Sequence, residues 1–137
     1  MRKLLKKLKK FIDKLPGNKA NEWFWKFRHF FDRSNWPEKY TSEESLNHPH
    51  RKLLIDTISK YSPIESALEV GCASGPNLYL LAKKFPETKI YDSDISKNAI
   101  DFGRKWLKKQ NIKNVEFFQS QAEKSFKNFS LNTALEG

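Results

Sequence analysis

The chain has 137 residues, of which 38% are hydrophobic and 31% are charged, a size and composition that suit one domain with an extension. No apolar run approaches the roughly 18 residues of a membrane span, and the basic N-terminus lacks the continuous apolar segment of a secretory signal. The single cysteine excludes an intrachain disulfide and is typical of a reducing compartment. We therefore expect a cytoplasmic protein.

Most of the net charge of +10 lies at the N-terminus. Residues 1–20 contain eight Lys or Arg and one Asp, whereas the other 117 residues contain 18 Lys or Arg and 15 acidic residues. The spacing of apolar residues predicts a basic amphipathic helix over residues 2–15, and we take 1–20 as the first segment. This helix either packs its apolar stripe on its own domain or binds an anionic membrane surface peripherally. Nucleic acid is the less favoured partner.

The second segment, residues 21–60, is predicted to be a helical extension rich in aromatic side chains. Eight of the 19 aromatic residues fall between residues 21 and 40. Trp23, Phe27, Phe30 and Phe31 share one helical face, which suits packing against the main domain or stacking on a base or substrate. His48 and His50 lack further ligands at metal spacing, so we predict no metal site.

Strands and helices alternate from residue 61 onwards. Strands are predicted at 66–70, 89–91 and 115–118, with one helix from Pro76 to Phe85 and another that Ser96 caps and that runs to Gln110. Such alternation predicts an α/β fold with a parallel sheet. We therefore expect about three parallel strands flanked by helices, preceded by an α-helical extension.

The turn after the first predicted strand is the most informative feature of the sequence. The strand ends near Glu69, small residues follow at Gly71, Ala73 and Gly75, and a helix begins directly afterwards. A strand, a tight turn and a helix in this order let the backbone approach a nucleotide closely. Nineteen residues after Gly75, Asp94 ends the second strand region, where an acidic side chain can accept hydrogen bonds from ribose hydroxyls.

Other nucleotide-binding patterns fit this turn less well. The G-x-G-x-x-G fingerprint of nicotinamide-binding proteins would place its second and third glycines on Ala73 and Pro76. A phosphate-binding loop of the Walker type needs a Gly-Lys-Ser/Thr sequence, which the chain lacks.

The pattern Glu69-x-Gly71-x-Ala73-x-Gly75 resembles the acidic–x–Gly–x–Gly–x–Gly motif of class I S-adenosylmethionine-dependent methyltransferases, with alanine in place of the middle glycine. The resemblance extends from about Tyr61 to Phe126. It implies a Rossmann-like parallel sheet, S-adenosylmethionine as the cofactor, and methyl transfer to an acceptor that the sequence does not identify. Residues 61–137 are accordingly taken as a partial S-adenosylmethionine-binding domain.

The resemblance also implies a cofactor site. The small residues of the turn would lie beneath the methionine and ribose, Glu69 would hold the amino end, Asp94 the ribose and Ile95 the adenine face. Bracing of the loop by Glu69 and capping of the next helix by Asp94 are the alternatives. The predicted cofactor-binding residues are Glu69, Gly71, Cys72, Ala73, Gly75, Asp94, Ile95, Gln121 and Ala122. No catalytic residue is assigned, because the sulfonium already activates the methyl group and positioning of the acceptor supplies most of the catalysis.

Some features depart from the family pattern. Asp92-Ser93-Asp94 replaces a Gly–apolar–Asp sequence, which places a serine and an extra carboxylate in a strand expected to be buried. The sequence also accounts only for the first part of the family sheet, which predicts a truncated catalytic domain. Its first strand would then be an unpaired edge that favours self-association. The alternative is a non-catalytic remnant or interaction module whose basic helix binds an acidic surface.

Overall fold

The computed structural model describes residues 36–120 continuously, together with Lys124 and the scattered N-terminal positions 7, 10, 14, 17, 19, 20 and 23–25. Most of the predicted helix at 2–15 and of the aromatic face at 23–31 therefore lies outside the described residues. The chain divides into two compact units, Met1–Trp36 and Pro37–Gly137. In the described part, no helix combines the length and the apolar character needed to cross a membrane.

In the continuously described residues 36–120, three helices precede the sheet: α1 (Trp36–Tyr40), α2 (Glu43–Leu46) and α3 (Pro49–Ser59). Pro49 occupies the first turn of α3, where the N–H that proline lacks would have no partner within the helix. Helix α3 lies within the segment 21–60, for which the sequence predicts helical structure. It carries Arg51, which is buried although it is charged.

The sheet has three parallel strands in the order β1 (Ser66–Val70), β2 (Lys89–Asp94) and β3 (Val115–Gln119). Helix α4 (Pro76–Lys84) joins the first two strands, and α5 (Lys97–Lys109) joins the last two. The predicted α/β fold with a parallel sheet is confirmed. Among the described residues, β1 forms one edge of this sheet.

One face of the sheet and the two connecting helices form the hydrophobic core. Ile90 and Phe117 of the sheet pack with Leu78 of α4 and with Ile100 and Leu107 of α5. Each of these side chains is at most 6% exposed. Because the strands are parallel, their carboxyl ends and the turn after β1 lie together at one edge of the sheet.

Strand β2 is longer than the sequence predicts, because it continues past Tyr91 to Asp94. Asp92 and Ser93 pair in register with Glu69 and Val70 of β1 and with β3 on the other side. The predicted strand stops at Tyr91, although the family pattern places the three following residues in a buried strand. The backbone nevertheless continues as one, since a central strand gains hydrogen bonds from both neighbours.

Candidate functional site

The turn between β1 and α4 adopts a left-handed backbone at three alternate positions. The φ angles are +83° at Gly71, +56° at Ala73 and +79° at Gly75. Glycine adopts such angles without penalty, whereas alanine is strained in them. The pattern of small residues in the sequence therefore reflects a real conformational requirement of the turn.

Hydrogen bonds fix the turn to the end of β2. The backbone N–H of Gly71 donates to the carbonyl of Ser93 at 2.7 Å, and the N–H of Ala73 donates to Oδ2 of Asp94 at 2.9 Å. Within the turn, the N–H of Gly75 donates to the carbonyl of Cys72 at 3.0 Å. The turn is therefore held in place by the neighbouring strand.

The two glycines of the turn serve different purposes. A Cβ atom added at Gly71 would meet no other atom within 4 Å, whereas one at Gly75 would lie 3.1 Å from Cδ1 of Leu78 and 3.4 Å from the Phe117 ring. Gly75 thus allows α4 to pack closely on the core. Gly71 borders open space, which is where a ligand can approach the backbone.

Asp94 links the turn to the start of α5. Besides the Ala73 N–H, its carboxylate accepts the N–H of Ser96 through Oδ1 at 2.7 Å. Ser96 is the N-cap of α5, as predicted, and its hydroxyl accepts the N–H of Ala99 at 3.3 Å. Asp94 therefore braces both elements. Each carboxylate oxygen still has a second lone pair available to a ligand hydroxyl.

Glu69 lies beside the turn, and only one of its two carboxylate oxygens has a hydrogen-bond partner among the described residues. Its Oε1 accepts a hydrogen bond from Nδ2 of Asn77 at 2.6 Å, and its buried Oε2 has no partner in the described part of the chain. Burial raises the pKa of Glu69, while the Asn77 hydrogen bond and the positive charge of Arg51 act against that rise. One carboxylate oxygen is thus left available for a positively charged or hydrogen-bond-donating ligand group.

Asp92 lies opposite Glu69 on β2 and is fully buried. Among the described residues, neither of its carboxyl oxygens has a hydrogen-bond partner of good geometry, although the Cys72 thiol and the backbone of Ser93 lie near enough to act against a rise of its pKa. Burial, together with the negative charges of Glu69 and Asp94, raises the pKa of Asp92 to about 8. A group with such a pKa is mostly protonated at neutral pH, so Asp92 adds a neutral acid rather than a charge to the site.

The remaining predicted site residues divide into three cases. Cys72 lies in the turn, but its side chain belongs to the core, and burial raises the pKa of its thiol, so it is no nucleophile. Ile95 is half-buried after β2, and its carbonyl accepts a hydrogen bond from Nε2 of Gln119 at 3.1 Å. Gln121 and Ala122 lie outside the described residues.

Sequence reasoning missed Arg51 and gave Asn77 no role. The position of Asn77, two residues after the Gly71–Gly75 turn, could have indicated a role for it. Arg51 lies 26 residues before Asn77, and nothing in the local pattern links the two.

No described group of three or more His, Cys, Asp or Glu residues is arranged to hold a metal ion.

A parallel sheet, a left-handed turn after its first strand and acidic residues at the ends of two neighbouring strands define the Rossmann-like class of α/β proteins. Residues 62–133 match the sequence profile of a family described as a methyltransferase domain. Because this match spans just over half of the 137 residues, the chain belongs to that methyltransferase family. The predicted family, and S-adenosylmethionine as the cofactor of the family, are confirmed.

Two solved structures share the fold of this chain. A candidate caffeoyl-CoA O-methyltransferase from Staphylococcus aureus is 16% identical, with a TM-score of 0.55, over 79% of this chain and 54% of that protein. A SAM-dependent methyltransferase from Aquifex aeolicus is 22% identical, with a TM-score of 0.52, over 62% of this chain and 45% of its own. At these identities the likeness concerns the fold alone.

Among curated proteins, an uncharacterized protein of Rickettsia prowazekii (strain Madrid E) is 38% identical over 55 residues. This match covers 39% of the present chain and 22% of the Rickettsia protein. The chain thus matches about a fifth of that relative and about half of each of the two solved structures.

Proposed function

We propose that this chain binds S-adenosylmethionine over the Gly71–Gly75 turn and serves in methyl transfer to an acceptor. The observation that carries the proposal is the left-handed turn, which borders open space at Gly71 and is hydrogen-bonded to Asp94. A backbone held in this way can approach a ligand closely without rearranging. Membership of the methyltransferase family supports the same choice of ligand.

The chemistry of the site suits this cofactor. S-adenosylmethionine carries an ammonium group and a sulfonium, and the unpartnered Oε2 of Glu69 is an acceptor for a positively charged group. Buried acceptors without partners cost free energy in the ligand-free protein. Binding of a cationic ligand would remove that cost at Glu69.

Each predicted residue has a role in this proposal. Asp94 accepts the ribose hydroxyls with the lone pairs that the turn and α5 leave free, and Ile95 packs on the adenine. The turn supports the methionine part of the ligand, and Glu69 holds its amino end. Gln121 and Ala122, which follow β3, are proposed to border the adenine.

The bound cofactor supplies an activated methyl group, so the protein's own contribution is to bind, orient and exclude water. We assign no general base among the described residues. The matched proteins are longer than the region that this chain covers. Methyl transfer by this chain alone is therefore proposed and not shown, and its acceptor is not assigned.

A second function is favoured by the charge distribution. The +7 charge of residues 1–20 supports binding to an anionic surface, either of a membrane or of an acidic macromolecule, by a cytoplasmic protein that is peripheral when bound. The unpaired edge of β1 supports self-association. Co-sedimentation with vesicles containing phosphatidylserine, compared with neutral vesicles, tests the first. Sedimentation velocity at several concentrations tests the second.

Cofactor binding is tested by melting the purified protein with S-adenosylmethionine, S-adenosylhomocysteine or NAD. Ligand at 100 times its dissociation constant should stabilise the protein by about 2.7 kcal/mol, and NAD should have no effect. We expect Asp94→Asn to reduce the shift. Asp101→Asn, on the exposed face of α5, should retain it. A cooperative melt whose melting temperature is shifted by neither S-adenosylmethionine nor S-adenosylhomocysteine would favour the non-catalytic interaction module instead.

A further inference from the structure

Arg51 is a buried arginine whose guanidinium donates hydrogen bonds in two directions. Its side chain donates to the carbonyl of Ser45 at 2.8 Å and to the Ser45 hydroxyl at 3.1 Å. Its Nη1 also donates to Oδ1 of Asn77. Only 5% of the residue is exposed. A buried guanidinium is costly unless such contacts compensate for its lost hydration.

Asn77 passes this interaction on to Glu69. Because Arg51 has only donors, the oxygen of the Asn77 amide must face it, and the amide nitrogen must then face the other way. That nitrogen donates to Oε1 of Glu69 at 2.6 Å. The three side chains therefore form a polar chain with one direction, from α3 through the first turn of α4 to the end of β1.

We propose that Arg51 and Asn77 are positioning residues that keep the Glu69 carboxylate ionised and oriented, with Oε1 engaged and Oε2 free for a positively charged ligand group. The inference rests on the proposed binding of S-adenosylmethionine. We call the three side chains the Arg51–Asn77–Glu69 relay. Neither Arg51 nor Asn77 needs to touch the ligand for this role.

The surroundings of Glu69 explain why a relay is needed. Burial raises the pKa of Glu69, and the negative charge of Asp94 raises it further. Asp92 on β2 and Cys72 in the turn also lie within electrostatic range of Glu69. Two groups act against this rise of the Glu69 pKa. The Asn77 amide donates a hydrogen bond to the ionised carboxylate, and Arg51 from α3 contributes a positive charge. Loss of either should raise the pKa of Glu69 further.

A protonated Glu69 would bind the cationic cofactor less well, so the relay makes a prediction about pH. Removing the Asn77 amide should weaken binding more at pH 6 than at pH 8, because a higher pKa leaves a larger share of Glu69 protonated at the lower pH. A purely structural role would weaken binding equally at both values. The pH dependence therefore separates positioning of a charge from general stabilisation of the fold.

The test is isothermal titration of the whole chain with S-adenosylmethionine at pH 6 and pH 8. Asn77→Ala should increase the dissociation constant at least about threefold more at pH 6 than at pH 8, with an upper limit of about tenfold for each unit of pKa change. Arg51→Met should likewise increase the dissociation constant more at pH 6 than at pH 8. Arg51→Lys, which keeps the charge but loses the planar fork, should have a smaller effect.

Asn114→Ala is the matched control. Asn114 is also half-buried, and its Nδ2 donates to the carbonyls of Phe85 and Thr88 at 3.2 and 2.9 Å, away from the turn. This variant should lower the melting temperature without changing the pH dependence of binding. Asn77 is only half-buried and lies in a helix, where alanine is well tolerated, so Asn77→Ala keeps the test available if Arg51→Met does not fold.

The outcomes distinguish the relay from the proposed function. If the wild-type chain fails to bind S-adenosylmethionine at both pH values, the proposed function is wrong and the relay has no ligand to serve. If the wild type binds but Asn77→Ala loses the same factor at pH 6 and pH 8, the relay alone is wrong.

Discussion

Asp92 is the residue at which the site departs most clearly from ordinary strand chemistry. A fully buried carboxyl with no well-formed hydrogen bond among the described residues is destabilising unless it is neutral. The sequence already indicated an unusual residue here, because an acid stands where the family pattern has glycine. It did not indicate that the strand would continue past the acid and bury it between β1 and β3.

The raised pKa of Asp92 predicts how stability depends on pH. The folded-state pKa of about 8 exceeds the ordinary aspartate value of 3.8, so the folded protein binds more protons than the unfolded chain between these values. Stability contributed by protonated Asp92 is complete below about pH 4 and is lost as the pH rises towards 8. The free energy of unfolding should fall by at most about 1.4 kcal/mol per pH unit in this window.

Urea denaturation from pH 5 to pH 8.5 measures this dependence. Asp92→Asn should flatten the decline, because the variant has no proton to lose. Asp101→Asn should keep the wild-type slope, since Asp101 is exposed on α5 and the Lys97 hydrogen bond lowers its pKa. Equal slopes for the wild type and Asp92→Asn would mean that Asp92 is not the group responsible.

Ala73 tests the conformational requirement of the turn. Its φ of +56° costs an L-residue roughly 1–2 kcal/mol, of which glycine would recover part while gaining freedom in the unfolded chain. Ala73→Gly should therefore raise the free energy of unfolding by up to about 1 kcal/mol. Ala73→Val, which adds a β-branched side chain in the same conformation, should lower it. Thermal denaturation of both variants checks this order, and a stabilising valine would contradict the left-handed geometry.

At the level of the elements, α5 packs closely against the turn at Gly103. A Cβ atom added at Gly103 would lie 2.9 Å from the backbone oxygen of Ser74 and 3.0 Å from the Phe117 ring. Real Cβ atoms do not approach a backbone oxygen so closely, so a larger residue must push α5 or the turn aside. Gly103 thus sets how near the helix can lie to the candidate cofactor site.

Gly103→Ala should be destabilising although alanine favours helices. The overpacking cost is about 1–3 kcal/mol and is offset by about 1 kcal/mol of helix propensity. We expect a lower melting temperature and weaker binding of S-adenosylhomocysteine, measured by calorimetry. Lys108→Ala, at an exposed position near the end of the same helix, should change neither. A Gly103→Ala protein with wild-type stability and affinity would contradict this close packing.

Much of the element order could be predicted from the sequence. The first strand has the predicted bounds, and the Ser96 cap begins α5 where the capping pattern places it. These signals are local, because they depend on apolar spacing, turn residues and capping side chains. The close approach at Gly103 could not be predicted, since it depends on where the turn lies relative to α5 in three dimensions.

At the scale of the whole molecule, the candidate site combines side chains from three separated parts of the chain. The turn with Glu69 and the end of β2 with Asp94 were predicted, because both belong to one recognisable motif. Arg51 belongs to α3 and was missed, since its link to Asn77 is a long-range hydrogen bond. Motif reasoning found the residues proposed to touch the ligand and overlooked one that supports them.

The central claim is that the Gly71–Gly75 turn and Asp94 bind S-adenosylmethionine in this chain. Its most direct test is a titration of the ¹⁵N-labelled protein with S-adenosylhomocysteine, followed by ¹H–¹⁵N NMR. The account predicts that the largest shift changes occur at the amides of Gly71, Ala73 and Gly75 and at residues 94–96. Saturating ligand that leaves these amides unchanged, or that moves only resonances far from the turn, would contradict it.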